Sequence, residues 1–219
     1  MREAFHEQLD SMFHDLADIC RSVETAVRLA TEALLTGDPS IAEQVISADV
    51  EIDRARERVE DSAFLVLSLQ QPVASDLRML VAALRMVADL ERMGDLSVHV
   101  AKVARLRVPQ VAVPREIVPT IERMAHLAEK MVGTVAGIIA ERDVDGARQL
   151  EEDDEEMDQL RRSSFRLMLD DSWPHGVEPA VDIALLGRYY ERIADHAVSL
   201  ARRVVYLVTG ETVTTVDHL

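Results

Sequence analysis

At 219 residues, 48% hydrophobic and 29% charged, the chain has the make-up of a globular protein of one or two domains rather than a disordered one. Its formal net charge of −16 makes nucleic acid a poor partner, and its single cysteine, Cys20, rules out an intrachain disulfide and any cysteine-built metal site. No uncharged run is long enough to span a bilayer, and the opening Met-Arg-Glu-Ala-Phe-His lacks the apolar core of a signal peptide, so the expectation is a soluble, cytoplasmic protein with no direct membrane insertion.

Six apolar stripes of helical period then follow one another. The first helix is expected over about residues 3–35, with Leu9, Phe13, Leu16, Cys20, Val23, Val27, Ala30 and Leu34 spaced by fours and threes. On that stripe Cys20 reads as a packing residue rather than a reactive thiol. Gly37-Asp38-Pro39 ends the helix and restarts the chain. The second helix, about 40–69, carries Val45, Ala48, Ile52, Ala55, Val59, Val66 and Leu69, and Gln71-Pro72 breaks it. The third, about 75–106, runs Leu77, Leu80, Leu84, Val87, Glu91, Gly94, Val98, Ala101, so a glutamate stands where the period asks for an apolar side chain.

Residues 108–114 contain Pro109 and Pro114, show no helical period and read as a linker. The fourth helix is expected over about 115–142, with Val118, Ile121, Ala125, Ala128, Val132, Val135 and Ile139 on its stripe and Pro119 tolerated near its start. The fifth, about 144–170, shows Leu150, Met157, Leu160, Ser164 and Leu167, and Trp173-Pro174-His175-Gly176 makes a turn. The sixth, about 177–208, shows Val177, Ala180, Ala184, Gly187, Glu191, Ala194, Val198, Ala201 and Val205, again with a glutamate on the stripe; Gly210 ends it. The whole is an all-α internal duplication: two tandem three-helix bundles, residues 1–107 and 115–210, joined by the linker 108–114 and followed by a tail, 211–219.

The duplication is sharpest at Asp89-Leu-Glu-Arg-Met-Gly-Asp95, which aligns without a gap on Tyr189-Tyr-Glu-Arg-Ile-Ala-Asp195. Glu–x–x–x–Asp sets two carboxylates one turn apart on a helix face, where like charges repel by about 0.2–0.5 kcal/mol. The middle helices repeat the theme: Asp49 and Asp53 align with Asp154 and Asp158. Each repeat can thus gather four carboxylates: Asp49, Asp53, Glu91 and Asp95 in the first, and Asp154, Asp158, Glu191 and Asp195 in the second. With 40 acidic residues, chance alone gives roughly seven such acidic pairs, so a lone pair means little and only the recurrence carries weight. Clustered carboxylates ask for a counter-cation, and oxygen ligation suits Mg, Mn, Ca or Fe and accepts Zn. Arg92 and Arg192 adjoin the pairs, so salt bridges are the alternative. A carboxylate-bridged di-iron enzyme would need Glu–x–x–His on two bundle helices, whereas the only such spacing here is Glu3 to His6.

At these residues the chain resembles the PhoU family of bacterial phosphate-uptake regulators. The resemblance spans nearly the whole chain and rests on Glu–Arg–x–(Gly/Ala)–Asp at 91–95 and 191–195, the aspartate pairs, and Gln71-Pro72-Val-Ala-Ser-Asp-Leu-Arg78 leading the third helix. It implies metal clusters on the eight carboxylates, with iron or zinc. It also implies a negative regulator of phosphate uptake that couples the ATPase subunit of the phosphate ABC transporter to a sensor histidine kinase, without catalysis of its own; a homodimer is the expected assembly. The family often has His or Asn just after the motif's last Asp, with a later Asn. Here Leu96 and His99 stand in the first repeat and His196 and Ser199 in the second, so equal metal occupancy of the two repeats does not follow. A metal enzyme on a helical bundle and a metal-free helical scaffold are the competing readings.

Overall fold

The computed structural model describes residues 2–210, with side chains described throughout except at 2–5 and 151–154. The expected tail, 211–219, and the side chain of Asp154 lie outside the described residues. Six helices follow in order: α1 (Arg2–Thr36), α2 (Pro39–Gln70), α3 (Ser75–Arg107), α4 (Val118–Glu141), α5 (Val144–Met168) and α6 (Val177–Thr209), and no strand occurs among the described residues. The all-α expectation holds.

Local chemistry sets the helix ends. The Asp38 carboxylate accepts the Ser40 N–H at 2.8 Å at the start of α2, with Pro39 in the first turn where no donor is needed. The Asp143 carboxylate caps α5 by accepting from the N–H groups of Asp145 and Gly146. Gly210, at φ 76°, closes α6 in the left-handed region that glycine enters without strain. The fourth helix starts at Val118 rather than at Arg115 as its apolar stripe suggested. The reason is Pro119: a helix running through it from Arg115 would need the N–H that proline lacks, so residues 115–117 form a turn instead.

Helices α1, α3, α4 and α6 form a central four-helix bundle in which α1 packs on α3 and α4, and α6 on α3 and α4. Helix α2 leans on α1 and α3 from one side, and α5 on α4 and α6 from the other. Both cross-repeat pairs run antiparallel. Cys20 donates its thiol to the Val132 carbonyl at 3.2 Å while Arg142 covers the Phe13 ring; Arg78 covers the Tyr206 ring while Arg107 reaches Asp182. The repeats are therefore related by a pseudo-two-fold axis through the bundle. One apolar core runs through both, and it takes in Ala112, Val113 and Ile117 of the connecting segment.

Cys20 is fully buried, and burial pushes its thiol up to about 12, which fits a packing role. Four large apolar side chains placed on the stripes lie open instead: Leu69 (68% exposed), Leu77, Leu167 and Val177 (80%). All sit at the α2–α3 and α5–α6 hairpin tips, where the outer helices project past the four-helix core and have no neighbour to bury against.

Candidate functional site

Asp49, Asp53, Glu91 and Asp95 lie across α2 and α3 in the first repeat, and Asp158, Glu191 and Asp195 across α5 and α6 in the second. Asp49 is half-buried on α2, and its Oδ1 would sit only 3.2 Å from a Cβ added at Gly94. The missing side chain at Gly94 is what lets α2 bring this carboxylate onto the motif of α3. Desolvation raises the Asp49 carboxyl above its usual range, and the charges of Asp53, Asp95 and Glu91 push the same way. The other three sequence-selected acids of the first repeat therefore lie close enough to act on Asp49. In the second repeat the side chains of Asp158, Glu191 and Asp195 converge likewise. Asp195 still reaches solvent, yet desolvation among the helices and the charge of Glu191 raise its carboxyl, with a smaller push from Asp158.

The partners of the two seam glutamates were not foreseen. Arg56 Nε lies 3.6 Å from Glu91, and Arg161 Nε lies 3.0 Å from Glu191. Arg56 and Arg161 stand 105 positions apart, the same offset that lays Asp49 on Asp154, so these arginines are themselves a repeated feature. The neighbours expected to supply the salt bridges play lesser parts: among the described residues Arg92 pairs with Asp95, at 3.2 Å on the surface, and Arg192 is exposed. Glu191 has a further partner, Arg188, which donates to it at 2.5 Å; the equivalent place in the first repeat is Ala88. The Glu191 side chain is 8% exposed and that of Glu91 32%. Asp158 pairs with Arg162 on the surface of α5.

The histidines near the motifs serve the seam between repeats. His196 shares a hydrogen bond with Asp89 at 3.1 Å, and Arg203 and Ser199 donate to the same carboxylate. Burial pushes the Asp89 carboxyl up, but the hydrogen bonds from His196 and Arg203 outweigh it and hold the group below the usual range. His99 stacks on Tyr189, with ring centroids 5.3 Å apart.

Among the described residues no three His, Cys, Asp or Glu side chains are grouped as a ready metal cage. In donor chemistry the first repeat nevertheless fits a hard cation: four carboxylates lie on two facing helices, and one of them, Asp49, has its carboxyl raised by burial first and by the charges of the other three second. The second repeat fits less well, since Glu191 is already neutralised by two guanidiniums.

The PhoU domain model matches residues 16–104 and again 121–204. The chain is 46% identical over 210 residues to the phosphate-specific transport system accessory protein PhoU homolog 2 of Mycobacterium tuberculosis, covering 96% of this chain and 99% of that one. It is 45% identical to PhoU homolog 1 of Mycobacterium leprae, covering 96% and 95%. Among solved structures, PhoU from Pseudomonas aeruginosa superposes with a TM-score of 0.85 at 29% identity, over 96% of this chain and 100% of the other. The phosphate transport system regulatory protein PhoU from Streptococcus pneumoniae shares the fold, with a TM-score of 0.86 at 24% identity and the same coverage. With two matched domains in tandem and this likeness running from end to end, the chain belongs to the PhoU family.

Proposed function

We propose that this protein is a metal-binding, non-catalytic adaptor that restrains high-affinity phosphate uptake and the phosphate-starvation response when phosphate is plentiful. Membership of the PhoU family, whose curated relatives are phosphate-specific transport accessory proteins, carries the reading and supports a regulatory role in phosphate transport. Its finer parts have these supports. The partners are the ATPase subunit of the phosphate ABC transporter and the cytoplasmic portion of a sensor histidine kinase, and the chain works beside them in the cytoplasm, as a homodimer. No helix among the described residues is long and apolar enough to cross a membrane, so contact with the transporter runs through protein surfaces. Both hairpin tips offer such surfaces: Phe64 and Leu69 at one, Leu169 and Val177 at the other, are all more than half exposed.

The metal, iron or zinc with Mg, Mn or Ca also compatible, is held by Asp49, Asp53, Glu91 and Asp95. Asp154, Asp158, Glu191 and Asp195 are the weaker second set. A bound cation neutralises facing carboxylates and ties α2 to α3. The arginine pairing of Glu191 favours the metal-free scaffold reading for the second repeat alone. Deletion of the gene, in a strain without a second copy, should leave starvation genes switched on in phosphate-rich medium; normal repression there would overturn the regulatory reading.

A further inference from the structure

The two hairpin tips are closed in different ways. In the first repeat, Leu9 and Met12 stand three residues apart on one face of α1. They pack over Ala63, Val66 and Leu80 of the α2–α3 hairpin and form an apolar cluster separate from the main core. The second repeat lacks those turns. Helix α4 begins at Val118, the repeat equivalent of Phe13, and the segment ahead of it sends Ala112, Val113 and Ile117 into the main core. The surface such turns would meet has changed as well: Leu80 and Leu84 of the first repeat are Ala180 and Ala184 in the second. Among the described residues, no helical turn like that of Leu9 and Met12 covers the α5–α6 tip.

What remains at this tip is an apolar groove of about 460 Å3. Ala180 and Ala184 line it together with Met168, the equivalent of Ala63. Phe165, Leu169 and Trp173 border it from α5 and the turn, and Val177 and Val181 from α6. Leu169 and Val177 are largely exposed and Val181 is half-exposed. Apolar side chains gathered along a concave surface mark a contact site, unlike the same residues scattered singly. Val177, Val181 and Ala184 follow by four and three along one face of α6, over about 10 Å, the rise of two helical turns. A groove of this kind takes the apolar face of an amphipathic helix. The first repeat shows the sort of helix that closes such a hairpin, one with apolar side chains at i and i+3. The rim sets the charge of the occupant. Residues 167–187 contain no Lys or Arg, against Asp170, Asp171, Glu178 and Asp182. Arg107 answers Glu178 and Asp182 from α3. Asp170 accepts from the uncharged Ser172, and Asp171 is exposed, so both of these charges stay on the rim.

We propose that the α5–α6 tip is a seat for a basic amphipathic helix of a partner protein. Its aliphatic side chains lie in the groove and its lysines or arginines face Asp170 and Asp171. The proposal rests on the adaptor reading for the existence of a partner, and adds where that partner docks and by what chemistry. A second copy of this chain suits the seat poorly, because it brings the same acidic rim and a net charge of −16.

Trp173 is the single tryptophan of the chain and lines the groove, so its fluorescence reports occupancy directly. The probe is a helical leucine–lysine peptide of about four turns. A scrambled peptide of the same composition and a leucine–glutamate helix stand beside it. The leucine–lysine helix should shift the Trp173 emission saturably, and the other two should bind about tenfold more weakly or worse. Val181→Asp should weaken the leucine–lysine helix by about tenfold or more, because losing the apolar contact outweighs the added negative charge. Val50→Asp, which adds the same charge at an exposed place on α2, should leave binding within about twofold. Circular dichroism checks the fold of each variant, and Leu169→Asp, at a largely exposed position, carries the test if Val181→Asp misfolds. Absence of a saturable shift, or a shift that these groove variants leave intact or strengthen, would overturn the seat. Equal binding of the scrambled or the acidic peptide would overturn the occupant assigned to it. Self-association of the chain that Val181→Asp abolishes would hand the groove to a second copy instead. All of these readouts use the isolated chain, so their failure leaves the gene-deletion test of the adaptor role untouched.

Discussion

Glu91 and Glu191 occupy the same place in two copies of one motif, yet they meet different surroundings. Glu191 is nearly sealed and held by Arg161 and Arg188; Glu91 is about a third exposed and has only a distant Arg56, which is itself engaged by Glu60 at 2.7 Å. One substitution accounts for much of the contrast, since the place of Arg188 is taken in the first repeat by Ala88. Conversely Gly94, against Ala194, lets Asp49 close on the first motif. The first repeat is left with loosely paired acids and the second with a completed ion pair. A duplicated site can therefore keep its acidic residues and split its chemistry, one copy retaining an appetite for cations and the other turning structural.

Stability measurements are the most forceful way to break this comparison. Glu191→Ala removes a nearly sealed carboxylate that holds two arginines and should cost about 2–3 kcal/mol, below a fully buried pair because both guanidiniums reach solvent. Glu91→Ala removes a partly exposed, long-distance pair and should cost about 1 kcal/mol or less. Equal shifts of the urea midpoint would dissolve the distinction. Metal content sharpens it from the other side: Asp95→Asn should weaken iron or zinc binding about 10- to 100-fold, while Asp195→Asn has a small effect. The check is metal analysis of protein purified without chelator or affinity-tag nickel, and equal losses would mean that both repeats ligate alike.

A third test concerns the seam between the copies. The folded-state carboxyl of Asp89 lies below its usual range, so the unfolded chain binds the proton more readily and Asp89 stabilises the fold above the ordinary carboxylate pKa. That stabilisation is lost as pH falls through the lowered folded value. Asp89→Asn should cost about 1 kcal/mol at neutral pH and flatten the acid limb of stability below about pH 4. Unfolding curves taken between neutrality and strong acid would show it.

The smallest effect has the opposite sign. Asp49 and Asp195 have raised carboxyls, so the fold holds their protons more tightly and loses stability as pH climbs above the ordinary carboxylate value. In metal-free protein at neutral pH, Asp49→Asn should therefore gain about 0.2–0.5 kcal/mol, the scale of a relieved like-charge pair. Asp195→Asn should gain less, because Arg188 and His196 already offset its neighbours. Added metal should reverse the ranking for Asp49, and a thermal melt with and without metal would reveal the crossover.

Much of this was legible in the residues themselves. Helical period, punctuated by Gly37-Asp38-Pro39, Gln71-Pro72 and Gly210, located all six helices, and the gapless match of 91–95 on 191–195 exposed the duplication. Period alone shows a helix's apolar face but not whether a neighbour covers it, which is why Leu69 and Val177 looked like core and lie open. The guanidiniums at 56 and 161 were hidden for another reason. Ion pairs across helices join residues far apart in sequence, and attention falls on the adjacent Arg92 and Arg192; yet the 105-residue offset that pairs the aspartates also pairs Arg56 with Arg161.

The antiparallel packing of α1 on α4 and of α3 on α6 has the geometry of a homodimer drawn into one polypeptide. In a two-chain assembly with this symmetry every contact occurs twice and any substitution is felt at both ends. Here the reciprocal of Asp89 with Ser199 is Tyr189 with His99: a charged cluster at one end and a ring stack at the other. Fusion released each end from copying its mate, and a chain so released can lay an arginine over a ring, Arg78 on Tyr206, at one pole and close an ion pair, Arg107 with Asp182, at the other without any change of fold.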